Sequence, residues 1–205
     1  LMPKDKSKQY NRTAALAPES AKRRKNMSKK VLVITSSLRA NSNSDALADS
    51  FADGAKSSGN TVEVISLKDK SISFCRGCMA CQKTQKCVIR DDAIEIAEKI
   101  KNSDVAVFAT PVYYYELAGQ LKTLLDRCNP IFSSNYAFRD VYLLATAADE
   151  DESAMEGPVK GIEGWVSCFE KARLAGTVFA GGVDGTGAIH GHTAIQTAYD
   201  MGKAI

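Results

Sequence analysis

The sequence predicts an α/β fold: a doubly wound, five-stranded parallel sheet with helices on both faces. Short, continuous apolar runs rich in β-branched residues recur along the chain, which is typical of strands buried on both faces. Segments with apolar residues at helical spacing separate these runs. Strands that alternate with helices form a parallel sheet, and ligand sites then lie beyond the carboxyl ends of the strands.

The order of the elements follows from these two periodicities. The predicted strands cover residues 31–34, 61–65, 105–109, 141–145 and 177–180. The third strand is expected to stop at Thr110-Pro111, because proline has no backbone N–H to donate. The predicted helices run through Ala46–Ala55, Ile94–Ile100, Leu117–Leu125, Ile162–Phe169 and Thr193–Ala204. Asp91-Asp92 is expected to cap the second of these helices.

Charge divides the chain into a basic tail and a mildly acidic remainder. Residues 1–30 contain ten of the 27 Lys and Arg residues but two of the 24 acidic ones. We assign residues 1–27 to a disordered tail, either a tag or an extended N-terminus, and residues 28–205 to one domain. The alternative for Lys22–Lys25 is a contact with an anionic partner or a localisation signal. An acidic domain gives no reason to expect nucleic acid as a substrate.

Hydropathy indicates a soluble protein. No apolar run approaches the roughly 18 residues that a membrane span needs. The start of the chain also lacks the apolar segment of a secretory signal. We therefore expect a cytoplasmic protein without a membrane partner.

The loop after the first strand, residues 35–44, has the composition of a phosphate site. It contains four serines, a threonine, two asparagines and an arginine at the start of a predicted helix. Hydroxyl groups, a guanidinium and free helix N–H groups together suit a phosphate. Neither GxGxxG nor GxxxxGK[ST] is present, so a monophosphate such as that of FMN fits better than a dinucleotide or a triphosphate. The alternative is a polar loop that only caps the helix.

The loop after the third strand is aromatic. Residues 110–115 read Thr-Pro-Val-Tyr-Tyr-Tyr. Backbone amides there can meet the polar edge of a flavin, while aromatic side chains flank its apolar rings. The alternative role of the tyrosines is packing at a subunit interface, and both roles are compatible.

Four cysteines form the pattern C-x2-C-x2-C-x5-C at Cys75, Cys78, Cys81 and Cys87. In a cytosolic protein such a cluster indicates metal or redox chemistry rather than disulfides. The compact spacing suits a [4Fe–4S] cluster with one thiolate on each iron, whereas structural zinc usually uses two separated C-x2-C pairs. The alternative is a loop of reduced thiols that covers a flavin and holds no metal.

Together these motifs resemble a known group of proteins. The chain from about Ser28 onward resembles the NAD(P)H-dependent FMN reductase and iron–sulfur flavoprotein branch of the flavodoxin-like superfamily. The resemblance rests on Ser37-Leu38-Arg39 with residues 41–44, the cysteine segment followed by Asp91-Asp92, residues 110–114, and Leu121–Arg127.

The resemblance implies a three-layer flavodoxin-like sandwich with strand order 2-1-3-4-5, in a homodimer or homotetramer. It implies that the FMN phosphate lies on Ser37, Arg39, Asn41, Asn43 and Ser44. The flavin ring would lie against Pro111, Val112, Tyr113 and Tyr114, with Thr146 and Ala147 on its other side. Relatives with similar cysteines include both cluster-bearing flavoproteins and plain flavin reductases, so both interpretations of the cysteine segment stay open.

Two functions follow as hypotheses. In the first, NAD(P)H reduces FMN, which passes electrons to a small acceptor such as free flavin or a quinone, and no catalytic side chain is required. In the second, a cluster at the four cysteines exchanges electrons with FMN and a ferredoxin-like partner. A zinc- and nucleic-acid-binding sensor is disfavoured, because residues 35–44 and 110–115 have no role in it.

Overall fold

A parallel sheet forms the centre of the computed structural model, which describes residues 28–205; the tail predicted for residues 1–27 lies outside the described residues. The strands are β1 (Lys30–Thr35), β2 (Thr61–Ser66), β3 (Val105–Tyr113), β4 (Glu116–Leu117), β5 (Asp140–Thr146) and β6 (Arg173–Ala180). Five of them are parallel in the order β2-β1-β3-β5-β6, and β4 pairs antiparallel with β3. This confirms the predicted α/β fold. Counted without the two-residue β4, the order is the 2-1-3-4-5 that the resemblance implies.

Helices cover both faces of the sheet. They are α1 (Asn43–Ser57), α2 (Ala80–Thr84), α3 (Ala93–Asn102), α4 (Gly119–Arg127), α5 (Asn129–Phe132), a 3-10 helix (Glu152–Met155), α6 (Glu156–Val166) and α7 (Thr193–Lys203). Successive β1 residues point to opposite cores: Val31 and Val33 pack with α1 and α7, while Leu32 and Ile34 pack with α3, α4 and α6. Within residues 28–205, no helix combines the length and apolar character needed to cross a membrane.

The third strand does not stop at Thr110-Pro111, so that prediction is wrong. Strand β3 continues to Tyr113, and Pro111 stays in register with Thr146 of β5. Ser36 N donates to Ala109 O, so the backbone of Ala109 faces β1, and Pro111 faces the same side two residues later. Pairing with β1 has already ended there, so the missing N–H of proline breaks no ladder bond.

A two-residue turn reverses the chain after β3. Tyr114 and Tyr115 both adopt left-handed backbone conformations, with φ of 49° and 61°. A turn with positive φ at both central residues is the type that joins antiparallel strands with the correct twist. Leu117 therefore lies in β4, and the helix predicted from Leu117 begins at Gly119 instead.

Helices α1 and α7 approach each other closely through glycine. A Cβ atom on Gly54 would lie 2.0 Å from Tyr199 O and 2.9 Å from Lys203 N. On Gly164 of α6, by contrast, a Cβ atom would meet no atom within 4 Å. The α1–α7 layer thus depends on the missing side chain at Gly54.

We predict that Gly54→Ala lowers the free energy of unfolding by about 1–3 kcal/mol, because the two backbones must move apart. Gly164→Ala is the matched helical control and should raise it by roughly 0.4–1 kcal/mol, since alanine restricts the unfolded chain. Urea unfolding followed by circular dichroism measures both. Equal effects of the two substitutions would contradict the close packing of α1 on α7.

Candidate functional site

A cavity of about 270 Å³ opens at the carboxyl ends of β1, β3 and β5. Nine of the eleven residues predicted to hold FMN line it: Ser37, Arg39, Asn43, Ser44, Pro111, Val112, Tyr113, Thr146 and Ala147. The structure therefore brings together three segments that are far apart in the sequence. Four further lining residues were not predicted: Ser42, Ala148, Val183 and Asp184.

Two predicted residues lie away from this cavity. Asn41 occupies a left-handed turn with φ of 52° and lines a separate depression beside Asp45 and Asp49. Tyr114 lies at the tip of the β3–β4 turn, and its side chain is fully exposed. In both cases a backbone reversal directs the side chain away from the cavity. The residue type alone does not reveal such a reversal.

One end of the cavity offers hydrogen-bond donors at a helix start. Ser42 caps α1: its Oγ accepts from Asp45 N at 3.1 Å and lies 3.3 Å from Ser44 Oγ. The amides of Asn43 and Ser44, at the first two helical positions, have no intrahelical acceptor. Ser37 Oγ accepts from Arg39 N at 3.2 Å, which leaves its own proton free to donate. With the Arg39 guanidinium at the rim, this end suits a dianion such as a phosphate monoester.

Asn43 has a structural role that the sequence did not indicate. Its Nδ2 donates to Val183 O and Gly185 O at 3.0 and 2.9 Å, and its Oδ1 accepts from Ile189 N at 3.3 Å. The side-chain amide is thus committed to the loop after β6. The main role of Asn43 is therefore to hold that loop beside the cavity. Arg39 Nη1 also donates to Asp184 O of the same loop, at 3.2 Å.

The other end of the cavity is a largely apolar slot. Residues 111–113 of β3 form one wall, and Thr146 at the end of β5 forms the other with Ala147 and Ala148. The β3–β4 turn is fixed to the second wall, because Tyr115 Oη donates to Asp149 Oδ2 at 3.0 Å. The hydrogen bond to the Asp149 carboxylate and its charge raise the pKa of Tyr115.

All four clustered cysteines line a second, much smaller cavity together with Arg127. Cys81 is buried, Cys87 is half-buried, and Cys75 and Cys78 are exposed. Burial raises the pKa of the Cys81 thiol, and the neighbouring cysteine sulfurs raise it further. Four thiols around one space are the donor set of an iron–sulfur cluster. Across residues 28–205, however, no three Cys, His, Asp or Glu side chains already stand in a metal-ligating arrangement.

A buried ion pair fixes the cysteine segment to α4. Arg127 and Asp91 form a bidentate pair at 2.6 and 2.8 Å, with side chains 0% and 6% exposed. Burial alone would raise the pKa of Asp91, but its hydrogen bonds from Arg127 and from the amides of Ser73 and Ala93 hold it below its usual range.

The prediction that Asp91-Asp92 caps α3 is correct for Asp91 alone, whose Oδ1 accepts from Ala93 N at 3.2 Å. Asp92 makes no side-chain capping bond, because its carboxylate accepts from Ser71 N instead. The main partner of Asp91 is Arg127.

Comparison with known proteins connects this geometry to a family. The model of the NADPH-dependent FMN reductase family matches residues 29–158. An iron–sulfur flavoprotein of Methanocaldococcus jannaschii is 37% identical over 102 residues, which cover 50% of this chain and 53% of that protein. An iron–sulfur flavoprotein of Methanosarcina thermophila is 25% identical over 177 residues, covering 86% of this chain and 93% of that protein.

The solved structures agree in fold. An NAD(P)H:quinone oxidoreductase from Methanothermobacter marburgensis has a TM-score of 0.63 at 18% identity, with 86% of this chain and 96% of that chain covered. Such low identity establishes the shared architecture alone. This chain spans about half the length of several curated relatives that it matches. The family model, in contrast, covers more than half of this chain and includes the loops after β1, β3 and β5, so the chain belongs to the NADPH-dependent FMN reductase family.

Proposed function

We propose that this protein is an FMN-dependent oxidoreductase that takes electrons from NAD(P)H and delivers them to a small acceptor such as a flavin or a quinone. One observation carries the proposal: a cradle for a phosphate monoester and an apolar slot are two ends of the same cavity. FMN has the matching shape and chemistry, with a dianionic phosphate joined to a flat, largely apolar ring system. Membership of the NADPH-dependent FMN reductase family supports the same assignment.

The residues of the cavity divide the binding task. The amides of Asn43 and Ser44, the hydroxyl of Ser37 and the guanidinium of Arg39 would hold the phosphate. Residues 111–113 and 146–148 would orient the ring between them. When bound, FMN supplies the redox chemistry by accepting a hydride and passing electrons on. The chain itself then needs to bind, orient and exclude water, and no acid–base side chain is required.

The surface next to the slot suits a second subunit or a substrate. Tyr113, Tyr114 and Tyr115 are all exposed there, and Tyr114 is held outward by its turn. Exposed aromatic residues in a row are typical of protein interfaces. We include in the proposal a homodimer or homotetramer in which these tyrosines pack between copies.

The second candidate function is electron transfer through an iron–sulfur cluster. Here a [4Fe–4S] cluster on Cys75, Cys78, Cys81 and Cys87 would exchange electrons with FMN and a ferredoxin-like partner. The convergence of the four cysteines on one cavity favours it. Several relatives are also iron–sulfur flavoproteins by name.

We predict that Arg39→Met weakens FMN binding about 10- to 100-fold, because one charge-assisted hydrogen bond contributes about 1.5–3 kcal/mol. Binding of riboflavin, which has no phosphate, should change little. Arg173→Met is the matched control, since Arg173 is exposed and pairs with Asp140 at the opposite end of the sheet. Quenching of flavin fluorescence gives the affinities of the unmodified protein and of both variants for FMN and for riboflavin. An equal loss for FMN and riboflavin would contradict a phosphate contact at Arg39.

We predict that anaerobically purified protein oxidises NADH or NADPH with free flavin or a quinone as acceptor. Cys81→Ser should leave this turnover intact if the protein is a reductase without a cluster. If the protein is an electron carrier, Cys81→Ser should remove iron and sulfide and abolish electron exchange with ferredoxin. Cys168→Ser is the control, because Cys168 lies in the loop after α6, outside the cysteine segment. Absence of NAD(P)H oxidation by FMN-loaded protein would overturn the leading function.

A further inference from the structure

Arg127 joins both ends of the cysteine segment. Its Nη1 donates to Ser73 O at 2.7 Å and its Nη2 donates to Ile89 O at 3.1 Å. Ser73 precedes the first clustered cysteine and Ile89 follows the last one. The same two nitrogens also bind Asp91, which accepts a further bond from Ser73 N at 2.8 Å. One side chain therefore sets the distance between the start and the end of the segment.

One donor of Arg127 lacks a well-placed acceptor. Among residues 28–205, the buried Nε–H has no partner at good hydrogen-bond geometry. Burial lowers the pKa of Arg127, whereas the Asp91 carboxylate and the nearby Cys87 sulfur raise it, so a clustered cysteine lies beside the guanidinium. Arg127 as a whole is 2% exposed, so water does not compensate for the missing bond. A buried N–H without an acceptor is costly and rare in folded proteins. It is therefore a sign of an acceptor that belongs at this place.

The position of this donor identifies the kind of acceptor. Arg127 lines the small cavity that also contains all four clustered cysteines. A [4Fe–4S] cluster on four thiolates is an anion, and its sulfur atoms accept hydrogen bonds. Other cations of the segment, Arg76, Lys83, Lys86 and Arg90, are exposed, so solvent screens their charge. Arg127 is the buried cation of this cavity within the part of the chain that the structure describes.

We propose that Arg127 is the positioning residue of the cluster. Its two terminal guanidinium nitrogens fix the distance between the two ends of the cysteine segment, and its Nε–H and charge would stabilise the cluster's sulfur atoms. This inference rests on the second candidate function, in which the cysteines carry a cluster. It also extends that function, because it assigns control of the cluster's retention and reduction potential to a residue of α4. Removing a hydrogen bond to a cluster sulfur makes the cluster harder to reduce, so the potential should fall.

Two variants test the proposal in the anaerobically purified full chain. Arg127→Lys keeps a charge but loses the fork and the Nε–H. The double variant Arg127→Met/Asp91→Leu removes both partners, so no unpaired charge stays buried. Arg139→Met is the matched control, because Arg139 also binds several carbonyls, those of Tyr136, Ala137 and Phe138, but outside the cysteine segment.

We expect about four irons and four sulfides per chain in the unmodified protein and in Arg139→Met. The double variant should keep its circular dichroism spectrum and its FMN but lose at least half of the iron. Arg127→Lys should lower the reduction potential of the remaining cluster, measured by dye-coupled titration, while the FMN potential stays unchanged. If the double variant does not fold, the reduction potential of the cluster in Arg127→Lys tests the role of Arg127.

Full iron content and an unchanged potential in a folded Arg127→Lys variant would overturn the role of Arg127. Absence of iron and sulfide from the unmodified protein would overturn both this inference and the electron-carrier function. The reductase function is tested separately, by measuring FMN content and NAD(P)H oxidation in the same samples. The two kinds of failure are therefore distinguishable.

Discussion

The divergence of β1 and β3 creates the crevice in which the candidate flavin site lies. These two strands are neighbours at the centre of the sheet, but their following helices lie on opposite faces: α1 packs with α7, and α4 packs with α3 and α6. The two connections must therefore separate at the carboxyl edge, which leaves a crevice between them. Strand β5 continues beside β3 and supplies the second wall. Hydrogen-bond donors at the start of α1, an apolar wall and the guanidinium of Arg39 consequently meet in one cavity.

The Arg127–Asp91 pair connects this sheet to the cysteine segment. Residues 71–79, which lead into α2, form no helix or strand of their own, so side-chain bonds must hold them. A buried ion pair gains little over apolar packing, because desolvation offsets most of the attraction. Its contribution here is geometric: a planar guanidinium bound to both oxygens of one carboxylate and to two carbonyl oxygens permits one arrangement of the chain. We attribute the convergence of four cysteines on one cavity to this constraint.

Local patterns predicted most of the fold. The apolar runs identified all five parallel strands, and the polar composition of residues 35–44 identified the candidate phosphate loop. Two of the failures involve partners distant in the sequence. Asn43 binds Val183, 140 positions away, and Arg127 binds Asp91, 36 positions away. Neither pairing changes any local periodicity, so a single sequence carries no signal of it.

The predicted end of β3 was wrong for a related reason. Pro111 ends a strand only where its N–H would have had a partner, and that depends on how far β1 extends beside it. Likewise, the outward direction of Tyr114 follows from the positive φ of two tyrosines, a conformation that their residue type disfavours. Tertiary pairing with β4 and the Tyr115–Asp149 bond stabilise this turn.

We propose that FMN occupies the cavity at the carboxyl ends of β1, β3 and β5. The most direct test is the absorption spectrum of freshly purified protein, followed by denaturation and chromatographic identification of the released cofactor. We expect flavin absorption bands and about one FMN per chain, with the phosphate intact. A colourless protein that also fails to take up added FMN would contradict this proposal.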